Sequence, residues 1–127
     1  MVHEIYGLDN YIESVASELS HNGIWAAAVD MFKGKPATSL EEGIKLREFL
    51  HDEDVIDALR AGHQLLTDRI GKGAKVGSMG FCMGGGLALL GACNLPFSFC
   101  VDYYGMVENV DQLKSVSGPI QLMLGSE

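Results

Sequence analysis

The chain has 127 residues, 47% hydrophobic and 20% charged, which is the balance of a folded globular chain and excludes wholesale disorder. That length suits one domain, residues 1–127, able to bury a core without disulfides or metals. Nine Lys and Arg against 17 Asp and Glu leave a net charge of −8, which opposes attraction to nucleic acid or to anionic membranes.

Cys82, Cys93 and Cys100 are odd in number and too few for a disulfide framework. They form no Cys-x-x-Cys pair, so a thiolate zinc site has no support. The longest glycine-free apolar run, Ile24 to Val29, is far short of a bilayer span. Met1-Val2-His3-Glu4 has neither the basic nor the apolar region of a signal peptide. A reduced, cytoplasmic protein without metal or cofactor is the expectation.

Met1 to Ile5 reads as the end of a strand. Asp9 or Asn10 can cap a helix to about Asn22, with Tyr11, Ile12, Val15, Ala16 and Leu19 at helical spacing. Gly23 is placed to end it in a left-handed conformation. Ile24 to Val29 reads as a short buried strand, and residues 33–38 as a loop. Thr38 or Ser39 starts a second helix, with Glu41 and Glu42 where the dipole favours anions. A third runs from about Asp54 to Ile70, and Gly71-Lys72-Gly73 stops it. Arg47, Arg60 and Arg69 fall on these amphipathic helices and read as solvated.

Ala74 to Met79 is the next strand, followed by a glycine-rich turn and a helix from about Met83 to Cys93. Strands at Phe99 to Tyr103 and Ile120 to Leu124 flank a short helix near Val110 to Ser115. This alternation predicts an α/β fold, a parallel sheet with helices on both faces. The chain opens inside a strand and closes just after one, so exposed sheet edges are expected, and with them a homodimer.

Gly80-Phe81-Cys82-Met83-Gly84-Gly85 lies between a strand and a helix. A nucleophile elbow has this small-x-nucleophile-x-small form because its turn is sharp and strained. Glycines beside the tip let neighbouring backbone pass without a Cβ clash. The next helix aims its free N–H groups at the thiol, which favours the thiolate. The alternative for any free cysteine is a small buried hydrophobe; that reading suits Cys93 and Cys100, and the elbow reading suits Cys82. No register of the glycines completes a dinucleotide fingerprint or a P-loop.

In these residues the sequence resembles the dienelactone hydrolase family of the α/β-hydrolase superfamily. The match is carried by His3-Glu4-Ile5-Tyr6-Gly7-Leu8, Ala28-Val29-Asp30-Met31-Phe32, Gly77 to Gly86, and Val101-Asp102-Tyr103-Tyr104-Gly105. The resemblance implies a partial α/β-hydrolase core, with Cys82 as the nucleophile of a Cys-His-Asp triad and Glu4 as a carboxylate interacting with the thiol. It implies an oxyanion hole from the backbone N–H groups of Ile5 and Met83, and Tyr103 lining the site. The expected substrate is a small ester or lactone.

The family's triad acid follows a strand-Gly-x-x-Asp pattern, and Gly125-Ser126-Glu127 stops one residue before it. The triad histidine would come later still. Glu127 is off by one position as a substitute acid. His3 precedes Glu4 on one strand, so it is expected on the opposite face. Hence the 127 residues are expected to hydrolyse poorly alone. A non-catalytic oligomerising domain and one half of a split hydrolase are the alternatives.

Overall fold

A computed structural model describes residues 1–107 and 110–125. Its sheet has three parallel strands in the order β1 (Ser78–Phe81), β2 (Cys100–Tyr103) and β3 (Ile120–Met123). Ser78 lies opposite Cys100 and Gly80 opposite Asp102, so residues that share a face are fixed across the strands. Val2 extends the pattern by single parallel bridges to Gly80 on one side and Val29 on the other.

The helices are α1 (Asn10–His21), α2 (Leu40–Glu48), α3 (Asp52–Ile70) and α4 (Met83–Asn94), with a 3-10 turn at Val110–Ser115. Asp9 caps α1 by accepting from the Ile12 N–H at 3.0 Å. Ser39 caps α2 by accepting from Glu42 N–H at 3.2 Å, and the Glu42 carboxylate reaches back to the Thr38 N–H at 2.7 Å. These bonds from Thr38 hold the Glu42 carboxyl below its ordinary value. Helix α3 begins two residues earlier than the apolar pattern suggested, because Asp52, Glu53 and Asp54 all suit a first turn.

Helix α4 lies against one face of the sheet. The Ser78 hydroxyl donates to the Ala88 carbonyl at 3.0 Å, and α3 packs against α4 in turn. Leu59, Leu87, Ala88, Leu89, Phe97 and Cys100 make the buried centre of this layer. Strand alternation sends Phe81 to the opposite face, where it meets the Tyr11 ring of α1 edge-on at 5.7 Å.

The expected strand from Ile24 to Val29 is reduced to the Val29 bridge. Val29 N–H donates to the Met1 carbonyl at 2.9 Å, and the Met1 amino group donates to the Ala27 carbonyl at 2.7 Å. Ile24 and Trp25 are instead 52% and 60% exposed. Residues 74–77 likewise lead into β1 without belonging to it. Glu127 lies outside the described residues.

Candidate active site

Cys82 sits between β1 and α4 with φ +51° and ψ −121°, a backbone conformation that L-residues rarely adopt. It persists because the surroundings determine it. Its N–H donates to the Tyr103 carbonyl at 2.9 Å, and its carbonyl accepts from Gly85 N–H at 2.9 Å. The flanking glycines are demanded by contact. A Cβ on Gly80 would stand 1.9 Å from the Gly84 carbonyl oxygen, and one on Gly84 would stand 2.4 Å from that of His3. The turn thus presents an exposed thiol at the start of α4.

A cavity of about 460 Å³ opens at this point, bordered by Cys82, Met83, Ile5 and Tyr104. Met83 is the first residue of α4, so its N–H has no partner within the helix. Ile5 reaches the cavity because Gly43 of α2 packs directly on its carbonyl, where a Cβ would come within 2.4 Å.

Glu4 joins the site through Tyr104, whose hydroxyl donates to Glu4 Oε1 at 2.5 Å. This bond to a carboxylate, more than burial, pushes the phenol up to about 12. Tyr104 itself has φ +48°. The turn is pinned by Asp102, whose Oδ1 accepts from Gly105 N–H at 2.8 Å, and by Tyr104 N–H donating to the Met123 carbonyl at 2.8 Å. Burial holds the Asp102 carboxyl above its ordinary value, against the opposing pull of that Gly105 bond.

Tyr103 takes a different place from the one expected. Its ring stacks on Phe81 at 4.8 Å, on the sheet face away from α4, and among the described residues it does not line the cavity. Its neighbour Tyr104, just past the end of β2 with φ +48°, does. Arg47, which its amphipathic helix predicts to be solvated, is half-buried and borders the cavity, with Nη1 donating to the Leu50 carbonyl at 3.0 Å.

His3 is fully buried. Its Nε2 accepts from the Met31 N–H at 3.0 Å, so the ring is neutral and Nδ1–H donates to the Glu4 carbonyl at 2.6 Å. Desolvation lowers its pKa, ahead of the raising effects of the Glu4 carbonyl, Asp30 and Asp9. The 3.6 Å approach of Asp30 is therefore not an ion pair. Both ring nitrogens are committed, and no lone pair remains for a base. His21 bonds to Ser17 within α1, and His63 packs on Phe97. Among the described residues no histidine borders the cavity.

Among the described residues no cluster of three or more His, Cys, Asp or Glu could hold a metal ion, and no helix is long and apolar enough to cross a membrane.

The model of the dienelactone hydrolase family matches residues 1–127. A Bradyrhizobium protein named "Probable 2-oxo-3-(5-oxofuran-2-ylidene)propanoate lactonase" is 31% identical over 108 residues, 82% of this chain and 44% of that protein. The carboxymethylenebutenolidase of Pseudomonas putida is 26% identical over 135 residues, 98% of this chain and 57% of that enzyme. The chain thus spans about half the length of these relatives. Among solved structures, one named m3DLH superposes with a TM-score of 0.82 at 22% identity, covering 99% of this chain and 55% of that one. A crystal structure from Klebsiella pneumoniae subsp. pneumoniae gives a TM-score of 0.81 at 17% identity, covering 99% and 72%. These likenesses give the fold as that of the α/β-hydrolases. With its whole length matched by the family model, the chain belongs to the dienelactone hydrolase family.

Proposed function

We propose that this chain carries the acylation half of an ester or lactone hydrolase site, with Cys82 as nucleophile. The observation that carries the reading is the strained Cys82 backbone, φ +51°, at a strand-to-helix tip that opens on a cavity. Family membership and relatives named as a lactonase and a carboxymethylenebutenolidase support the reaction class.

In this reading the Cys82 sulfur attacks the substrate carbonyl. The Ile5 and Met83 N–H groups stabilise the developing oxyanion, and Glu4, oriented by Tyr104, receives the thiol proton. The leaving alcohol departs with that proton and leaves a thioester on Cys82. Release requires a base placed to activate water against the thioester; the regenerated Glu4 carboxylate is engaged by Tyr104, and among the described residues no histidine borders the cavity. The 127-residue chain therefore acylates faster than it deacylates, and a histidine and an acid from further sequence or another chain would complete turnover. Intact-mass analysis after exposure to an activated ester tests this: a stable adduct that Cys82→Ala abolishes is expected, and an adduct elsewhere contradicts it.

The second reading, a non-catalytic oligomerising domain, draws on the exposed Ile24 and Trp25 beside the Val29 edge. Light scattering distinguishes it: a stable homodimer with an unreactive Cys82 selects it.

A further inference from the structure

The cavity does not end at the nucleophile. Met83, Gly86, Leu90 and Cys93 follow one another at three- and four-residue spacing, so they form one stripe down α4, and all four line the cavity with Cys82. At a rise of about 1.5 Å per residue, the step from Cys82 to Cys93 makes this stripe about 16 Å long. Leu40 lies on the α2 side, and Met106, Val107 and Leu113 come from the segment between β2 and β3. That segment approaches closely because residue 86 is glycine; a Cβ there would stand 2.5 Å from the Met106 carbonyl oxygen.

The charged lining residues are Arg47 and Asp52, one of each sign. Arg47 already spends a donor on the Leu50 carbonyl. Among the described residues the charges of the lining cancel, Gln112 adds one amide, and the side chains along α4 are otherwise apolar.

We propose that this groove is an acyl-chain site, and that the substrate class is a linear, uncharged carboxylic ester whose hydrocarbon tail lies along α4 from Cys82 toward Cys93. The inference rests on Cys82 being the nucleophile and names what that nucleophile acts upon. In the acylation step a sulfur–carbon bond forms at the ester carbonyl and the carbon–oxygen bond to the alcohol breaks. The thiol proton leaves with the alcohol, so no oxidant, reductant or other co-reactant is needed. A compact lactone would occupy only the Cys82 end and leave the rest of the groove unfilled.

The test uses p-nitrophenyl acetate, butyrate, hexanoate and octanoate, each at submicellar concentration, with nitrophenolate release giving the acylation rate and intact mass locating the adduct. Each methylene buried in the groove is expected to raise the second-order acylation constant by about twofold to fourfold through octanoate. Leu90→Trp, which fills the middle of the groove, is expected to flatten that profile. Leu113→Trp on the facing wall repeats the test if the first variant does not fold. Rates that stay level or fall along the series overturn the inference, as does a rise that the folded Trp variants leave intact. In those cases acetylation at Cys82 leaves the nucleophile reading standing. No adduct at Cys82 with any ester removes both.

Discussion

The Tyr104 hydroxyl and the Glu4 carboxylate, 100 positions apart in the chain, are joined by a hydrogen bond of 2.5 Å, and Tyr104 borders the same cavity as Cys82. The phenol, pushed up to about 12, stays a neutral donor throughout the range in which thiol chemistry is assayed. Its role is to fix where the Glu4 carboxylate points. Tyr104→Phe is expected to slow Cys82 acylation about threefold to tenfold, the loss of one partly exposed charge-assisted bond. Glu4→Gln keeps an acceptor for Tyr104 but cannot take the thiol proton, and a loss of about a hundredfold is expected. Equal rates for Glu4→Gln and the parent chain would remove Glu4 from the proton path.

The three thiols are expected to react in the order of their surroundings. Cys82 is exposed, Cys93 half-buried, and Cys100 buried, with desolvation as the main cause that pushes its thiol up to about 11. Iodoacetamide at pH 7.5 followed by peptide mapping is expected to label Cys82 first and Cys100 only on unfolding. Labelling of Cys100 in the folded chain would contradict the packing described.

His3 makes the fold sensitive to mild acid. Its folded pKa lies below the ordinary 6.5, so below that pH the unfolded chain binds a proton that the folded chain still refuses. Stability present above pH 6.5 is therefore lost as pH falls. The Met1 ammonium, lowered to about 6 by burial, acts in the same direction over pH 6 to 8. His3→Gln, which retains an acceptor for Met31 N–H, is expected to cost about 1 to 3 kcal/mol at pH 7.5. It should also weaken the fall of Tm between pH 7.5 and 5.5. An unchanged pH slope would show that His3 does not carry the effect.

The elbow glycines hold the backbone contact between α4 and the Val2–His3 segment. Gly84→Ala would set a Cβ 2.4 and 2.6 Å from two backbone carbonyl oxygens, which move only with the chain. A loss of about 2 to 3 kcal/mol in urea unfolding is expected. A neutral substitution would mean that this approach is looser than described.

What the sequence revealed follows the range of the forces involved. The elbow was legible because its steric demand is local: Gly80, Cys82 and Gly84 lie within five residues, and the contacts that exclude a Cβ recur in the structure. The α/β alternation was legible for the same reason, through Asp9, Ser39 and the apolar spacing of each helix. The Ile24–Val29 segment pairs regularly only at Val29, because strand formation depends on a partner distant in sequence, which composition does not reveal. Tyr103 is implied by the family resemblance, and the part played by Tyr104 is not legible in the sequence because its positive φ and its bond to Glu4, 100 residues away, are tertiary features. Arg47 was missed because an amphipathic pattern does not show which flank of a helix borders a cavity.

The central claim is that Cys82 is acylated and then released slowly by the residues present. Stopped-flow release of nitrophenolate from p-nitrophenyl acetate, run on the parent chain beside Cys82→Ala, tests it most directly. The account predicts a burst equal to one equivalent of chain, followed by turnover close to background, and no burst in the variant. A burst of the same size in Cys82→Ala, or sustained turnover by the parent chain well above background, would contradict it.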